Sequence, residues 1–301
     1  MRVDPPGGGD AVFEALWREH RPFLVDLAFR MLGDIGQAED VVQEAFYRLS
    51  RSDFDSIEDA RGWLIVVTSR LCLDLIGSAR MRRERPAGGS DLDVVGRTLV
   101  QHPVDPSDRV TLDDSVRLAL LIVLERLTPA ERVAYVLHDI FQIPFETVAE
   151  TVGRPTATCR QLARRARLKL EQAEGTTRFE VTATEHHAVM ERFIEACANG
   201  DFDALVRVLD PDVTGGVDLR PGLIVHGARN VAQNIIRFWG RQATLVSLPV
   251  GSEPCILAFV DRSLAALLEF EVEGDRIREI HVTARPESLL TLRAQLAVEP
   301  T

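Results

Sequence analysis

From Arg154 to Lys169 the chain carries six cations, Arg154, Arg160, Arg164, Arg165, Arg167 and Lys169, and no acid. The whole chain of 301 residues is acidic, with 35 Lys+Arg against 46 Asp+Glu and a formal charge of -11. Cations gathered against that background suit the chemistry of phosphates and base edges. Placed on a helix at about 100° per residue, Cys159, Leu162, Ala163, Ala166 and Leu170 fall on one side and Arg160, Gln161, Arg164 and Arg165 on the other. Arg pairs with guanine edges and Gln with adenine, and Thr156 and Thr158 at the helix start suit phosphate contact. Upstream, "PFETVAETV" makes a short helix and "GRPT" a glycine turn. A short helix, a glycine turn and a second helix with an Arg/Gln outer face make a helix-turn-helix, whose second helix enters the major groove. A merely solvated charged face is the plain alternative, but acids are absent from that face and the turn chemistry is correct.

A second stretch, "ARGWLIVVTSRLCLDLIGSARMRRER" at 60–85, poses a similar problem. Most of this helix is apolar all round and expected to be buried, yet Trp63, Arg70, Asp74 and Met81 align along one stripe, and Arg80, Arg82, Arg83 and Arg85 follow. Such a stripe could stack and hydrogen-bond unpaired bases while the arginines hold the backbone. On its own the pattern is equally that of a core tryptophan and of arginines complementing a helix C-terminus.

Residues suited to catalysis are sparse. Asp218, His226 and His281 are candidates for acid/base work, but no pair among them has a spacing that enforces the role. His186 and His187 point to different sides of a helix. Cys72, Cys159, Cys197 and Cys255 stand singly in apolar sequence, without the short spacing of metal or redox sites, and read as small core residues. No catalytic residue, metal or cofactor is expected.

The elements that must position these groups are mostly helical up to residue 172. "FEALWREHRPFLVDLAFRML" places Leu16, Phe23, Leu24, Leu27 and Met31 on one stripe. Asp34 with Gln37 starts a second helix with Val41, Val42, Ala45, Phe46 and Leu49 inward, and a third runs from about Trp63 to Arg83. Residues 86 to 114 hold six acids (Asp91, Asp93, Asp105, Asp108, Asp113, Asp114), two bases (Arg97, Arg109) and several Gly and Pro, and read as an acidic linker. Helices resume at Asp114, and Thr128, Pro129 and Glu131 supply an N-cap, a first-turn proline and a capping-box acid. Past about Thr176 helices over Glu185 to Ala198, Phe202 to Leu209 and Ala228 to Trp239 alternate with Gly-punctuated sequence and strands. Leu268, Phe270 and Val272 share one strand face, and Gly274-Asp275 turns the closing hairpin. The first ten residues, "MRVDPPGGGD", have no apolar core for a secretory signal, and the longest apolar run, "LALLIVL" at 118–124, falls far short of the roughly 20 residues that span a bilayer. A cytoplasmic protein without membrane contact is expected.

Two DNA-facing modules joined by an acidic linker exceed what an ordinary repressor needs, and here the chain resembles the extracytoplasmic-function sigma factors of bacterial RNA polymerase. "AEDVVQEAFYRL" is similar to their polymerase-binding helix. "RGWLIVVTSRLCLDLIGSAR" is similar to their segment that melts and reads the -10 element, and "LTPAERVAYVLHDIFQIPFETVAETVGRPTATCRQLARRAR" to the module that reads the -35 element. The resemblance covers about residues 11 to 172. It implies that Asp40, Gln43 and Glu44 face the beta-prime clamp helices of core polymerase. It implies further that Asp59, Arg61, Trp63, Arg70 and Asp74 line the surface taking the non-template strand, where an extruded base costs a few kcal/mol offset by stacking. Arg80, Arg82 and Arg83 would hold phosphates. Thr156, Thr158, Arg160, Gln161, Arg164, Arg165 and Arg167 would read the -35 duplex, and the linker would lie along the RNA exit path.

Residues 184 to 296 resemble a SnoaL-like domain of the NTF2-like superfamily, a curved sheet wrapped with helices into a cone, carried by "ERFIEACANGDFDALVRVLDPDV", "VHGARNVAQNII" and the closing hairpin. From 181 to 301 there are 11 bases and 17 acids, which argues against DNA contact there. A subset of these sigma factors carries such a domain, and the resemblance implies that it regulates activity by docking on the sigma modules or their linker, or through contact with a small molecule. The linker has "RPAGGS" where the best-known group has Trp-Leu-Pro-Glu-Pro, and "DVTGGVDL" is a reduced form of that group's Asp-Gly-Gly-Gly motif, so a different contact is expected here. The expected architecture is multidomain. An all-α sigma region 2 over 11–85, an acidic linker over 86–113 and an all-α region 4 with helix-turn-helix over 114–172 precede an α+β NTF2-like/SnoaL-like cone domain over 181–301. The two sigma modules are expected to be held apart by the linker. The rival readings are a helix-turn-helix regulator that never touches polymerase and senses a ligand in its NTF2-like domain, and an enzyme with a DNA-binding appendage.

Overall fold

A computed structural model describes residues 8–52, 57–84, 127–171, 184–219, 224–240, 242–247, 254–285 and 287–289. The linker expected over 86–113, the helix expected from Asp114 and the "LALLIVL" run lie outside them.

Three helices build the N-terminal module: α1 (Gly8–Leu32), α2 (Ile35–Arg51) and α3 (Ala60–Glu84). Asp34 caps α2 by accepting the Gln37 N–H at 2.9 Å, satisfying a donor that a helix start leaves orphaned. The inward face of α2 is the expected one, Val41, Val42, Ala45, Phe46 and Leu49, with Ile35 and Ala38 added.

The second helical module holds α4 (Pro129–Tyr135), which runs on as a π-helical turn over Val136–Ile140, then α5 (Phe145–Val152) and α6 (Thr156–Glu171). Thr128 and Glu131 form the full reciprocal capping box at the start of α4. Glu131 also accepts from Lys169 at 2.6 Å. Burial pushes this carboxyl upward, but the bonds from Lys169 and Thr128 outweigh it and hold Glu131 below the usual range. Gly153 ends α5 at φ +66°, a left-handed backbone that glycine adopts without a Cβ penalty.

The C-terminal domain is α+β. Helices α7 (Thr184–Asn199), α8 (Phe202–Val208) and α9 (Ala228–Trp239) accompany strands β1 (Leu209–Val217), β2 (Ile224–His226), β3 (Thr244–Ser247), β4 (Cys255–Val260), β5 (Ser263–Glu273) and β6 (Arg276–Thr283). The sheet order is β2-β1-β6-β5-β4-β3, with β1 and β6 parallel and the other pairs antiparallel. Helices cover one face, where Phe193 and Phe270 meet edge-to-face at 5.1 Å. Leu268 and Phe270 are buried there with Val272 packed beside them, as the strand pattern predicts.

The other face of the sheet is covered too. Along β4, Ile256 and Ala258 join the core under the helices, whereas Cys255, Leu257 and Phe259 join the core of the N-terminal module. A strand buried on both faces reads as a continuous apolar run, and "CILAFV" is one. The covering element is α1, whose Phe29 packs against Phe259 with ring centroids 5.5 Å apart. Residues 24–32 of α1 are therefore buried on every side, not along the single stripe its periodicity predicts.

The expectation that the helical modules are held apart is corrected. They share one core with α1: Val133, Leu137, Phe141, Val148, Cys159 and Leu162 cluster with Leu24, Leu27, Phe46 and Leu64. Apolar residues of α1 and α3 close against those of α4 and α5 instead of facing water, which at about 25 cal/mol per Å² favours contact over separation. At the junction of the three bodies lies a buried pair, Arg30–Asp26, with side chains 6% and 4% exposed. Arg30 donates to Ser247 Oγ on β3 at 3.1 Å and lies over the Phe141 ring at 5.5 Å.

Candidate nucleic-acid interface

Helix α6 presents two distinct faces. Cys159, Leu162, Ala163 and Ala166 are fully or nearly fully buried, Leu170 is half-buried, and Arg160, Gln161, Arg164 and Arg165 are exposed. Thr156 and Thr158 sit half-buried at its first turns. Helix α5 and the Gly153 turn set its entry. Arg160 is steered by the Phe145 ring, 5.5 Å away, and by Glu146 at 3.9 Å. Arg167 departs from the group. Its Nε bonds Asp139 on the π-helical turn, because a carboxylate only 16% exposed requires a cation close by.

The stripe expected on α3 is only partly assembled. Asp59 caps α3, accepting the Gly62 N–H at 2.9 Å. Arg61 lies over Phe23 at 5.0 Å. Trp63 is half-buried against the shared core, so the tryptophan is substantially a packing residue. Arg70 and Asp74 are exposed, and Arg70 Nη2 donates to the Glu150 carbonyl of α5 at 2.8 Å. The second module thus lies directly on this stripe. Arg80, Arg82 and Arg83 fall on the last turns of α3, with side chains outside the described set. Nearby His20 is buried, and burial, aided by Arg61 and opposed by Glu19, holds its imidazole below the usual value.

On α2, Gln43 is exposed, Asp40 and Glu44 are partly exposed, and Glu44 pairs with Arg48 at 2.8 Å. Two neighbours escaped the sequence reading. Tyr47, 54% exposed, sits one turn on from Gln43 and accepts from Arg51 at 2.9 Å. Glu39 is 14% exposed and ion-paired to Arg21 at 3.0 Å. Tyr47 stands four residues after Gln43, a helical spacing that carried a signal for it, but nothing signalled Glu39, whose other partners come from the C-terminal domain.

The would-be catalytic residues occupy a capping position and two exposed strand positions. Asp218 accepts the backbone N–H groups of Ala284 at 2.8 Å and Arg285 at 3.1 Å. Burial opposes its ionisation, but these bonds and the Ser288 hydroxyl hold it below the usual range. His226 pairs with Thr214 and His281 with Gly216 across β1. The intervening Gly215 faces Val231 of α9, so both histidines point away from the helices, since alternate strand residues face opposite ways. Both are exposed. The four cysteines are buried and free, and burial pushes the Cys72 and Cys197 thiols well up. Among the described residues no cluster of His, Cys, Asp or Glu could hold a metal ion, and no helix is long and apolar enough to cross a membrane.

A glycine-turned helix pair with an arginine face, packed on a second helical module and followed by an α+β domain, is the arrangement of a DNA-reading transcription protein. Comparison with known proteins is specific. Sigma-70 region 2 matches residues 16–82 and Sigma-70, region 4 matches residues 117–170. The chain is 54% identical over 286 residues to the probable ECF RNA polymerase sigma factor SigI of Mycobacterium tuberculosis, spanning 94% of this chain and 96% of that one. It is 42% identical over 209 residues to ECF RNA polymerase sigma factor SigJ of the same species, 67% of this chain and 62% of the relative. The crystal structure of Mycobacterium tuberculosis SigJ is similar at 28% identity and TM-score 0.35, covering 96% of this chain and 99% of that one. The chain belongs to the ECF RNA polymerase sigma factor family.

Proposed function

We propose that the chain is the promoter-specifying, non-enzymatic subunit of a bacterial RNA polymerase, acting in the cytoplasm. In this reading α2 offers Asp40, Gln43 and Glu44, with Tyr47 beside them, to the clamp helices of core polymerase. Arg61, Trp63, Arg70 and Asp74 meet the -10 strand, with Asp59 fixing the helix start and Arg80, Arg82 and Arg83 on phosphates. Thr156, Thr158, Arg160, Gln161, Arg164 and Arg165 read the -35 duplex. Arg167 joins them only if it leaves Asp139. The single observation that carries the reading is the exposed face of α6, cationic and acid-free from Arg160 to Arg165, opposite a packed one.

The -10 and -35 elements lie about 25 base pairs apart, about 85 Å along straight duplex at ~3.4 Å per pair. Modules in direct contact cannot reach both, and Arg70 on Glu150 covers the -10 stripe. The arrangement is read as a closed form, and the NTF2-like domain, seated on α1 and joined through Arg30 to Ser247 and Phe141, favours it. Opening is then the step that this domain regulates. Transcription in vitro with core polymerase on a promoter library tests the function. Defined transcripts that depend on the chain are expected, and their absence on every template would overturn the reading.

A further inference from the structure

Strands β4 and β5 join through a two-residue turn, Asp261-Arg262, closed by the Val260–Ser263 pair. Both turn residues are left-handed, at φ 50° and φ 65°. Such hairpin turns favour Asn-Gly, because side chains other than Asn, Asp and Gly are strained there. The β5–β6 turn of the same sheet has Gly274 at φ +62°. An arginine in the strained position calls for a compensating contact, and its guanidinium has one. Arg262 Nη2 donates to Asp40 at 2.7 Å and its Nε to Glu39 at 3.2 Å. Its side chain also lies over Gly36, where an added Cβ would stand 3.4 Å from the guanidinium. Glu39 is held in turn by Arg21 and by the Thr244 hydroxyl at 2.8 Å. The arginine therefore spans the first turns of α2 from a different domain.

We propose that Arg262 is an intramolecular competitor for the polymerase-binding face of α2, occupying Asp40 and Glu39 with the cationic chemistry that a basic polymerase surface would supply. The proposal rests on the reading of α2 as the polymerase-facing helix. It makes the hairpin tip a latch: with the domain docked, Asp40 is neutralised from within, and core polymerase must displace Arg262 to engage it. The competent fraction, and hence the apparent affinity, falls by the occupancy of the latch.

The test measures binding of core polymerase to the full chain at fixed salt for wild type, Arg262→Gly and Arg262→Glu. The glycine variant removes the guanidinium and relieves the strained backbone, so its thermal midpoint should equal or exceed that of wild type. The glutamate variant sets a like charge against Asp40 and Glu39. Both should bind core polymerase about five- to tenfold more tightly. Wild-type affinity in both variants overturns the latch and leaves the sigma reading standing, whereas failure of every form to bind core polymerase overturns both.

Discussion

Replacing Phe259 by Ala separates docking of the C-terminal domain from its folding. Phe259 is 3% exposed and Phe29 2% exposed, and each ring fills space left by the other across the domain boundary. Truncating a buried Phe costs about 3–5 kcal/mol, part of it the aromatic pairing of about 0.5–1.5 kcal/mol. In an undocked domain Phe259 faces water, so the loss falls on the docked state, and 3 kcal/mol lowers the docked-to-undocked ratio by roughly 150-fold. Phe270→Ala is the matched control, since that ring packs under the helices on Phe193 and its loss should destabilise the domain itself whether docked or not. Small-angle scattering and thermal unfolding read the two effects. Phe259→Ala should enlarge the radius of gyration while leaving the domain's own transition in place, and Phe270→Ala should lower that transition. A Phe259→Ala chain as compact as wild type, with a transition lowered as in Phe270→Ala, would refute a boundary held by these rings.

Arg164→Ala should weaken binding to the preferred -35 duplex by about 1–3 kcal/mol and relax its sequence preference, whereas an equal loss on all sequences in competition binding would assign it to phosphate alone. Asp26→Asn leaves Arg30 buried without its counter-charge and should cost about 3–5 kcal/mol in urea unfolding, while the double change Asp26→Leu with Arg30→Met should cost far less. His20 has a folded-state pKa below its unfolded value of 6.5, so the unfolded chain takes up the proton first on acidification. Stability is then complete above about pH 6.5 and lost as pH falls through the folded pKa. Wild-type stability should decline over that window and His20→Gln should not, as measured by unfolding midpoints from pH 7 to 5.

Much of the fold is legible because local chemistry decides it. Thr128 with Glu131, Asp34 before α2 and Gly153 before α6 each satisfy or terminate a helix by contacts within a few residues, and α6 divides its faces on spacing alone. What escapes is pairing over distance. Nothing near Glu39 announces a partner 223 positions away. The periodicity of α1 marks one stripe, although residues 24–32 are apolar apart from Asp26 and Arg30, and those two neutralise each other. A charged pair four apart inside an apolar helix is the trace that cover on a second side leaves in sequence. The stacking of the helical modules is likewise invisible, since Arg70 looks the same whether it meets a phosphate or the Glu150 carbonyl.

The closed arrangement is tested most directly by a distance between α3 and α6, read from labels at Gly77→Cys and Leu168→Cys. Gly77 has open space beside it and Leu168 is 44% exposed, while the native thiols are buried and inert to labelling. In the free chain the separation should be short, on the order of 20–30 Å for helices in one packed body. With core polymerase and promoter it should lengthen to about 60–85 Å, matching the span between the two elements. A separation that stays short in a transcribing complex, or one already long in the free chain, would contradict the account.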